Sequence, residues 1–219
     1  LQHMGDHFTI PLPQDKGTGL GKPLKIINHL VKEDIPIAIA SLGPKSVETT
    51  AEIADAWLPA FYTPEAADAV WGESLKAGKK LRDPNRAVLD IFAGGAVGIG
   101  AGMEPHREKG RAGAALYIGG MGARSKNFYN DIFSKSGYAE EAKLIQDLYL
   151  SGKKDAAAAA IPDDYLAKSS LIGEEAFVTD RINALKESGV TTLNVSFIGS
   201  DPSERIHQCE RLKNLVEKL

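Results

Sequence analysis

Two short stretches of this 219-residue sequence combine residue types that could hold an anion. The first is Ser41-Leu42-Gly43-Pro44-Lys45, which follows an apolar run and precedes a segment of helical spacing. A helix starting at Pro44 has free amide N–H groups and the positive end of its dipole in the first turn, and both favour an anion. The same residues also read as an ordinary strand-to-helix turn, and the two readings stand level. The second stretch runs from Gly119 to Tyr129 and sets Arg124 and Lys126 between glycines and two aromatics. Such a composition suits a phosphate or carboxylate chain. Taken alone, it fits a helix-to-helix connection with a solvated charge pair better.

Other chemistries find little support. The stretch from Gln14 to Pro23 is glycine-rich, but Pro23 stands where a P-loop needs a hydroxyl, and it reads as a surface loop. Gly98-Ile99-Gly100-Ala101-Gly102-Met103 approaches the dinucleotide fingerprint, but Met103 replaces the last glycine. The five histidines (His3, His7, His29, His106 and His207) form no H-x-x-x-H pair and have no cysteine pair nearby. No metal site is expected from that spacing. The single cysteine, Cys209, lies on an apolar helical stripe and reads as core. No G-x-S-x-G elbow occurs. Asn194-Val195-Ser196 matches a glycosylation sequon, but it falls in a strand expected to be buried.

Composition narrows the class. Lys and Arg total 26 against 29 Asp and Glu, a net charge of −3. That balance offers no basic excess for nucleic acid. No apolar run reaches the length of a membrane span, so no membrane partner is expected. One cysteine gives no support for an oxidising compartment, and the start lacks a signal-peptide pattern; a cytoplasmic location is expected. The many glycines and alanines suggest helices packed closely on strands.

The elements that must position these residues follow a strand-then-helix rhythm. Residues 1–34 read as an extended and looped lead-in. Ile35–Ser41 is a short apolar strand, followed by a helix carrying Val47, Ala51 and Ala54. Ala56–Tyr62 is a second strand, and Thr63-Pro64 starts the next helix as N-cap and N1. Arg86–Ala93 is a third strand, with a possible extension to Ile99, and Pro105 opens a third helix. A helical excursion follows, with Tyr138, Ala142, Ile145 and Tyr149 on one stripe and an alanine-rich helix at Ala156–Ala160. Val178, Ile182 and Leu185 mark a helix that Gly189 ends. Val190–Phe197 is a fourth strand. Ser203–Leu219 closes the chain, with Ile206, Cys209, Leu212, Leu215 and Leu219 along one side. Strands joined through helices must be parallel, so an α/β fold is expected: an open sheet or part of a (β/α) barrel.

Both stretches, in this order, resemble the luciferase-like monooxygenase family, and within it the oxidoreductases that use the deazaflavin coenzyme F420. The resemblance rests on Ile35–Lys45, Ala51–Pro59, Met121–Asp131, Ile145–Lys153, Ser170–Gly173 and Gly189–Val195. It implies a (β/α)8 TIM barrel with the coenzyme, F420 or alternatively FMN, at the carboxyl ends of the strands. It further implies that residues 35–219 form strands five to eight, with a helical insertion at about 119–171 before the last strand. The family's catalytic side chains then lie mainly in the absent first half, and none is named here. The carried-over cofactor contacts are Leu42, Gly43 and Pro44, with Ser41 and Lys45 adjacent. Arg124 and Lys126 are an extrapolation toward the coenzyme's anionic tail. The resulting expectation is hydride transfer between F420 and a small organic substrate, by a chain that is either a homo-oligomer or completed by a missing N-terminal half. An FMN-dependent monooxygenase and a non-catalytic half-barrel remain alternatives.

Overall fold

The computed structural model describes residues 2–17, 21–23, 27–29, 31–32 and 35–219. It divides into two compact units, Leu1–Ile35 and Pro36–Leu219. In the first, β1 (His3–Met4) pairs antiparallel with β2 (Thr9–Ile10). Residues 18–20 of the glycine-rich loop lie outside the described residues.

The second unit is built on a parallel sheet. β3 (Ala38–Ala40) pairs with β4 (Ala56–Leu58), which pairs with the start of β5 (Asp90–Ile99). The helices α1 (Pro44–Ile53) and α2 (Ala67–Leu81) supply the connections and pack on each other. β6 (Leu171–Gly173) and β7 (Thr192–Phe197) both pair parallel to β5. Val97 has Leu171 and Phe197 as partners at once, so β6 and β7 flank β5 on opposite edges. α8 (Glu175–Glu187) joins them, and α9 (Pro202–Val216) ends the unit.

Alternation along the strands gives the sheet two unlike faces. Ile39, Trp57, Ile91, Ala93, Val97 and Val195 pack with Val47, Trp71, Val178 and Leu212 of the helices into the main core. Several residues of the other parity are small or polar: Ala38 and Ala40 on β3, Gly94 and Ala96 on β5, Asn194 and Ser196 on β7. On β3 and β7 these positions are exposed, and β7 alternates strictly between exposed and half-buried. Asn194 is therefore on the open face, which corrects the expectation that it falls in a buried strand.

Between β5 and β6 the chain is helical. A 3-10 segment, Glu104–Gly110, leads into α3 (Arg111–Gly120). Then come α4 (Phe128–Phe133), a single π-turn at Ser134–Tyr138, α5 (Ala139–Leu150), α6 (Lys154–Ala159) and α7 (Asp163–Lys168). They enclose a core of their own around Ile118, Phe133, Ala142, Ile145, Ala157 and Tyr165. Phe61 packs against both cores and joins them.

Several boundaries differ from the sequence reading. The α-helix expected at Pro105 begins at Arg111, because the first turns close as 3-10. The α-helix expected at Pro64 begins at Ala67. Thr63–Ala67 instead forms turns, with the Ala66 N–H on the Thr63 carbonyl at 3.1 Å. Cys209 is exposed rather than core, and Ile206 is 59% exposed. The buried positions of α9 are Gln208, Leu212 and Leu215. Gln208 turns inward because β5's last residue satisfies it: the Ile99 N–H donates to its Oε1 at 2.7 Å.

Candidate functional site

The turn after β3 is the first sequence feature, and two tryptophans hold it. Trp57 on β4 is fully buried and donates its Nε1–H to the Ser41 carbonyl at 3.0 Å. Trp71 on α2 donates to the Leu42 carbonyl at 3.2 Å. The rings meet edge to face with centroids 5.3 Å apart. The Ser41 hydroxyl is buried and bonded to Thr50 Oγ1 at 2.8 Å, so it faces the helix rather than the open side. Gly43 caps α1 with extended backbone, and Pro44 follows at the first helical position.

The amino end of α1 remains open. It has no side-chain cap and no acidic residue in its first turn. The Gly43 carbonyl is engaged by the Val47 N–H and the Ser46 hydroxyl, both at 2.9 Å. Pro44 has no N–H, so the amides of Lys45 and Ser46 are the free donors of that first turn. The Lys45 ammonium pairs with Glu48 at 2.8 Å but is 91% exposed. This end of the helix can accept an anionic group.

The second feature approaches the first through Phe128. A Cβ built on Gly43 would lie 3.2 Å from Phe128 Cε1. The segment before Phe128 is anchored by Asn127, which is buried. Its Oδ1 accepts from the Tyr129 and Asn130 N–H groups at 3.0 and 3.2 Å, and its Nδ2 donates to the Tyr117 and Ile118 carbonyls, both at 3.0 Å. One side chain thus caps α4 and closes the end of α3.

The two cations of this segment have different partners. Arg124 forms an ion pair with Asp147 of α5, which also accepts from Lys143 at 2.8 Å. Hydrogen bonds from Lys143 and then Arg124 hold the Asp147 carboxyl below its ordinary range. Lys126 is exposed and has no side-chain partner among the described residues. Of the two, Lys126 is the one available to a ligand.

Four residues that shape this side are absent from the sequence-predicted site. Trp57 and Trp71 each carry an indole N–H donor that apolar spacing does not reveal. Phe61, just beyond β4, has φ of 59°, a left-handed backbone that is strained for a bulky residue. It is fixed by Tyr129, Tyr117 and Tyr165 at centroid distances of 5.4, 5.8 and 6.3 Å. No pattern in the sequence signals that conformation. Asn127 was legible in principle, as an Asn directly before a helical run. Among the described residues no group of His, Cys, Asp or Glu is arranged for a metal, and no helix is long and apolar enough to cross a membrane.

The chain is 34% identical over 201 residues to a Mycobacterium tuberculosis protein described as a coenzyme F420-dependent oxidoreductase, covering 88% of this chain and 56% of that one. It is 26% identical over 191 residues to the 5,10-methylenetetrahydromethanopterin reductase of Archaeoglobus fulgidus, covering 84% and 54%. The chain therefore spans about half the length of these relatives. The fold resembles that of the coenzyme F420-dependent tetrahydromethanopterin reductase of Methanopyrus kandleri, with a TM-score of 0.56 at 21% identity over 78% of this chain and 47% of that chain. It also resembles an F420-dependent secondary alcohol dehydrogenase, with a TM-score of 0.59 at 15% identity over 99% and 56%. The model of the luciferase-like monooxygenase family matches residues 1–192, and the chain belongs to that family.

Proposed function

We propose that this chain forms the cofactor-side part of an oxidoreductase that transfers hydride between coenzyme F420 and a small organic substrate. The observation that carries the reading is the 34% identity to a protein described as F420-dependent. The open amino end of α1, at the carboxyl end of a parallel strand, supports it.

The residues present suit such a coenzyme. Leu42, Gly43 and Pro44 would line it, with Ser41 and Lys45 adjacent. The free amides of Lys45 and Ser46 would receive an anionic group of its tail, with Lys126 supplying charge nearby. Arg124, paired to Asp147, would contribute by holding that segment rather than by direct contact. The small residues Ala40, Gly94 and Ala96 leave space on the open face for a planar ring. The coenzyme, when bound, supplies two-electron hydride chemistry; the protein supplies placement and electrostatics.

The test is an anaerobic titration of the chain with F420 and, separately, FMN, followed by coenzyme absorbance. Saturable binding of F420 is expected. Binding of FMN alone would move the reading to a flavin-dependent monooxygenase.

A second reading concerns completeness. We propose that further strand–helix units close the sheet into a (β/α)8 barrel, supplied by more of the same polypeptide or by another chain. In that reading the helices α4 to α7, which lie between β5 and β6, are an insertion into the barrel. Its support is the chain's 54–56% coverage of its relatives, together with the exposed outer positions of β3 and β7. Sedimentation and activity measurements on this chain test it. A monodisperse monomer active in F420 turnover would overturn it.

A further inference from the structure

A cleft of about 480 Å³ opens at the carboxyl ends of β5 and β7, away from the residues carried over for the coenzyme. Its lining combines Met103, Ile198, His106, Lys109, Glu204 and His207. A second cleft of about 350 Å³ shares Ile198, His106 and Lys109, so these residues stand between two open volumes. In parallel α/β folds this end of the sheet is where ligands bind.

Three of these side chains are nitrogen donors. Among the described residues, His106, Lys109 and His207 make no side-chain hydrogen bond or ion pair. Their neighbours, by contrast, are engaged. Arg107 donates to the Ile172 carbonyl at 2.9 Å and stacks on Phe177. Arg111 pairs with Glu108. Arg211 donates to the Ile99 carbonyl at 2.7 Å and pairs with Glu175 at 2.6 Å. Gln208 is taken up by Ile99. The one acid in the cleft, Glu204, accepts from the N–H and hydroxyl of Ser200 at 2.7 and 3.0 Å.

The approach to the cleft is the glycine-rich turn that resembles a dinucleotide fingerprint without completing it. Gly100 and Gly102 have φ of 138° and 75°, and a Cβ on Gly102 would meet nothing within 4 Å. At Gly102 the turn thus leaves open space beside its backbone, just before the segment that carries His106 and Lys109.

We infer that this cleft binds an anionic group, a phosphate or a carboxylate, through His106, Lys109 and His207, with Met103 and Ile198 against an apolar part of the same ligand. A neutral imidazole offers one N–H donor and a protonated one offers two, and a lysine offers three. The anion belongs either to the hydride-exchanging substrate or to the coenzyme's tail. The inference stands on the cleft's own residues and does not require that F420 bind.

The test is a titration of the full chain with inorganic phosphate and, separately, succinate, reading the histidine ring signals by NMR. Saturable shifts confined to His106 and His207 are expected with at least one of the two anions. Lys109→Gln removes an exposed charge, so the fold is retained, and it should weaken that binding roughly tenfold. Repeating the titration with saturating F420 identifies the source. Persistent anion binding assigns the cleft to the substrate, and lost binding assigns it to the coenzyme tail. Equal shifts of all five rings, no shifts with either anion, or unchanged affinity in Lys109→Gln overturns the inference.

Discussion

Gly43 and Phe128 touch across 85 residues of sequence, and at Gly43 there is almost no room for a side chain: a Cβ there would sit 3.2 Å from the Phe128 ring. The backbone of Gly43 is ordinary extended chain, φ −74°, so the constraint is the neighbour and not the dihedral. Gly43→Ala must push Phe128 aside. Phe128 is 50% exposed and can move, so stability should change by less than about 1 kcal/mol. F420 affinity should fall roughly threefold to tenfold if the turn lines the coenzyme. The double variant Gly43→Ala/Phe128→Ala should recover part of that loss, the signature of a coupled pair. Additive losses would separate the two residues.

Phe61 gives an inverted order of substitutions. Its φ of 59° costs on the order of 1–3 kcal/mol for a residue with a Cβ. Its ring joins the two cores. Phe61→Ala loses the ring and keeps the strained backbone, for a cost of about 3 kcal/mol. Phe61→Gly loses the ring but relieves the strain. Glycine should therefore be less destabilising than alanine at this position, opposite to its usual rank. Urea unfolding of both variants decides the order.

The strand–helix rhythm read from residue 35 onward matches β3, β4, β5 and β7, because each pairs an apolar run with a helical stripe. β6 was not seen as a strand, since three residues are too few for a period-2 pattern. The glycines at 94 and 95 made the extent of β5 ambiguous, although the strand passes straight through them. Cys209 shares a helical stripe with Leu212 and Leu215, which reads as core, yet it is exposed. Gln208 occupies the inward position instead, through a bond to Ile99 that lies 109 residues away. At the site, the turn at Ser41–Lys45 was visible as a local motif. The tryptophan donors, Phe128 and the diversion of Arg124 to Asp147 depend on tertiary contacts that local spacing does not encode.

Arg181 and Glu65 tie α8 to the turn before α2, and their contribution should depend on pH. The Arg181 side chain is 11% exposed, and it also donates to the Lys168 carbonyl at 2.6 Å. Burial alone would raise the Glu65 carboxyl, but the hydrogen bond and charge of Arg181 outweigh it and the net shift is downward. A carboxyl lowered on folding adds stability above its unfolded value, about 4.3, and loses it as pH falls through the folded value. Glu65→Gln should cost about 1–2 kcal/mol at neutral pH, less than a fully buried pair, because the Glu65 side chain is 44% exposed. The difference from the parent should shrink below about pH 4. A difference that does not change with pH would rule out the ion pair as its cause.

Gly78 places α2 against α1 at a distance no other residue permits. A Cβ there would lie 2.1 Å from the Glu48 carbonyl oxygen and 2.7 Å from Ala51 Cβ. The first contact is with backbone, which cannot swing away as a side chain would. Two effects then oppose each other in Gly78→Ala. Alanine gains about 1 kcal/mol of helix propensity within α2. Forcing the helices apart disturbs the packing of Val47, Ala51 and Trp71 and costs typically 1–3 kcal/mol, occasionally more. The severity of the overlap puts this substitution at the upper end, so a net loss of about 2 kcal/mol is expected. Because Trp71 holds the Leu42 carbonyl, the displacement should also reach the turn at Ser41–Lys45. Tryptophan fluorescence during urea unfolding reports both effects, as a lower midpoint and a native spectrum shifted from that of the parent. A midpoint equal to or above the parent's would mean that the helices separate without loss, and that the close crossing does not position the turn.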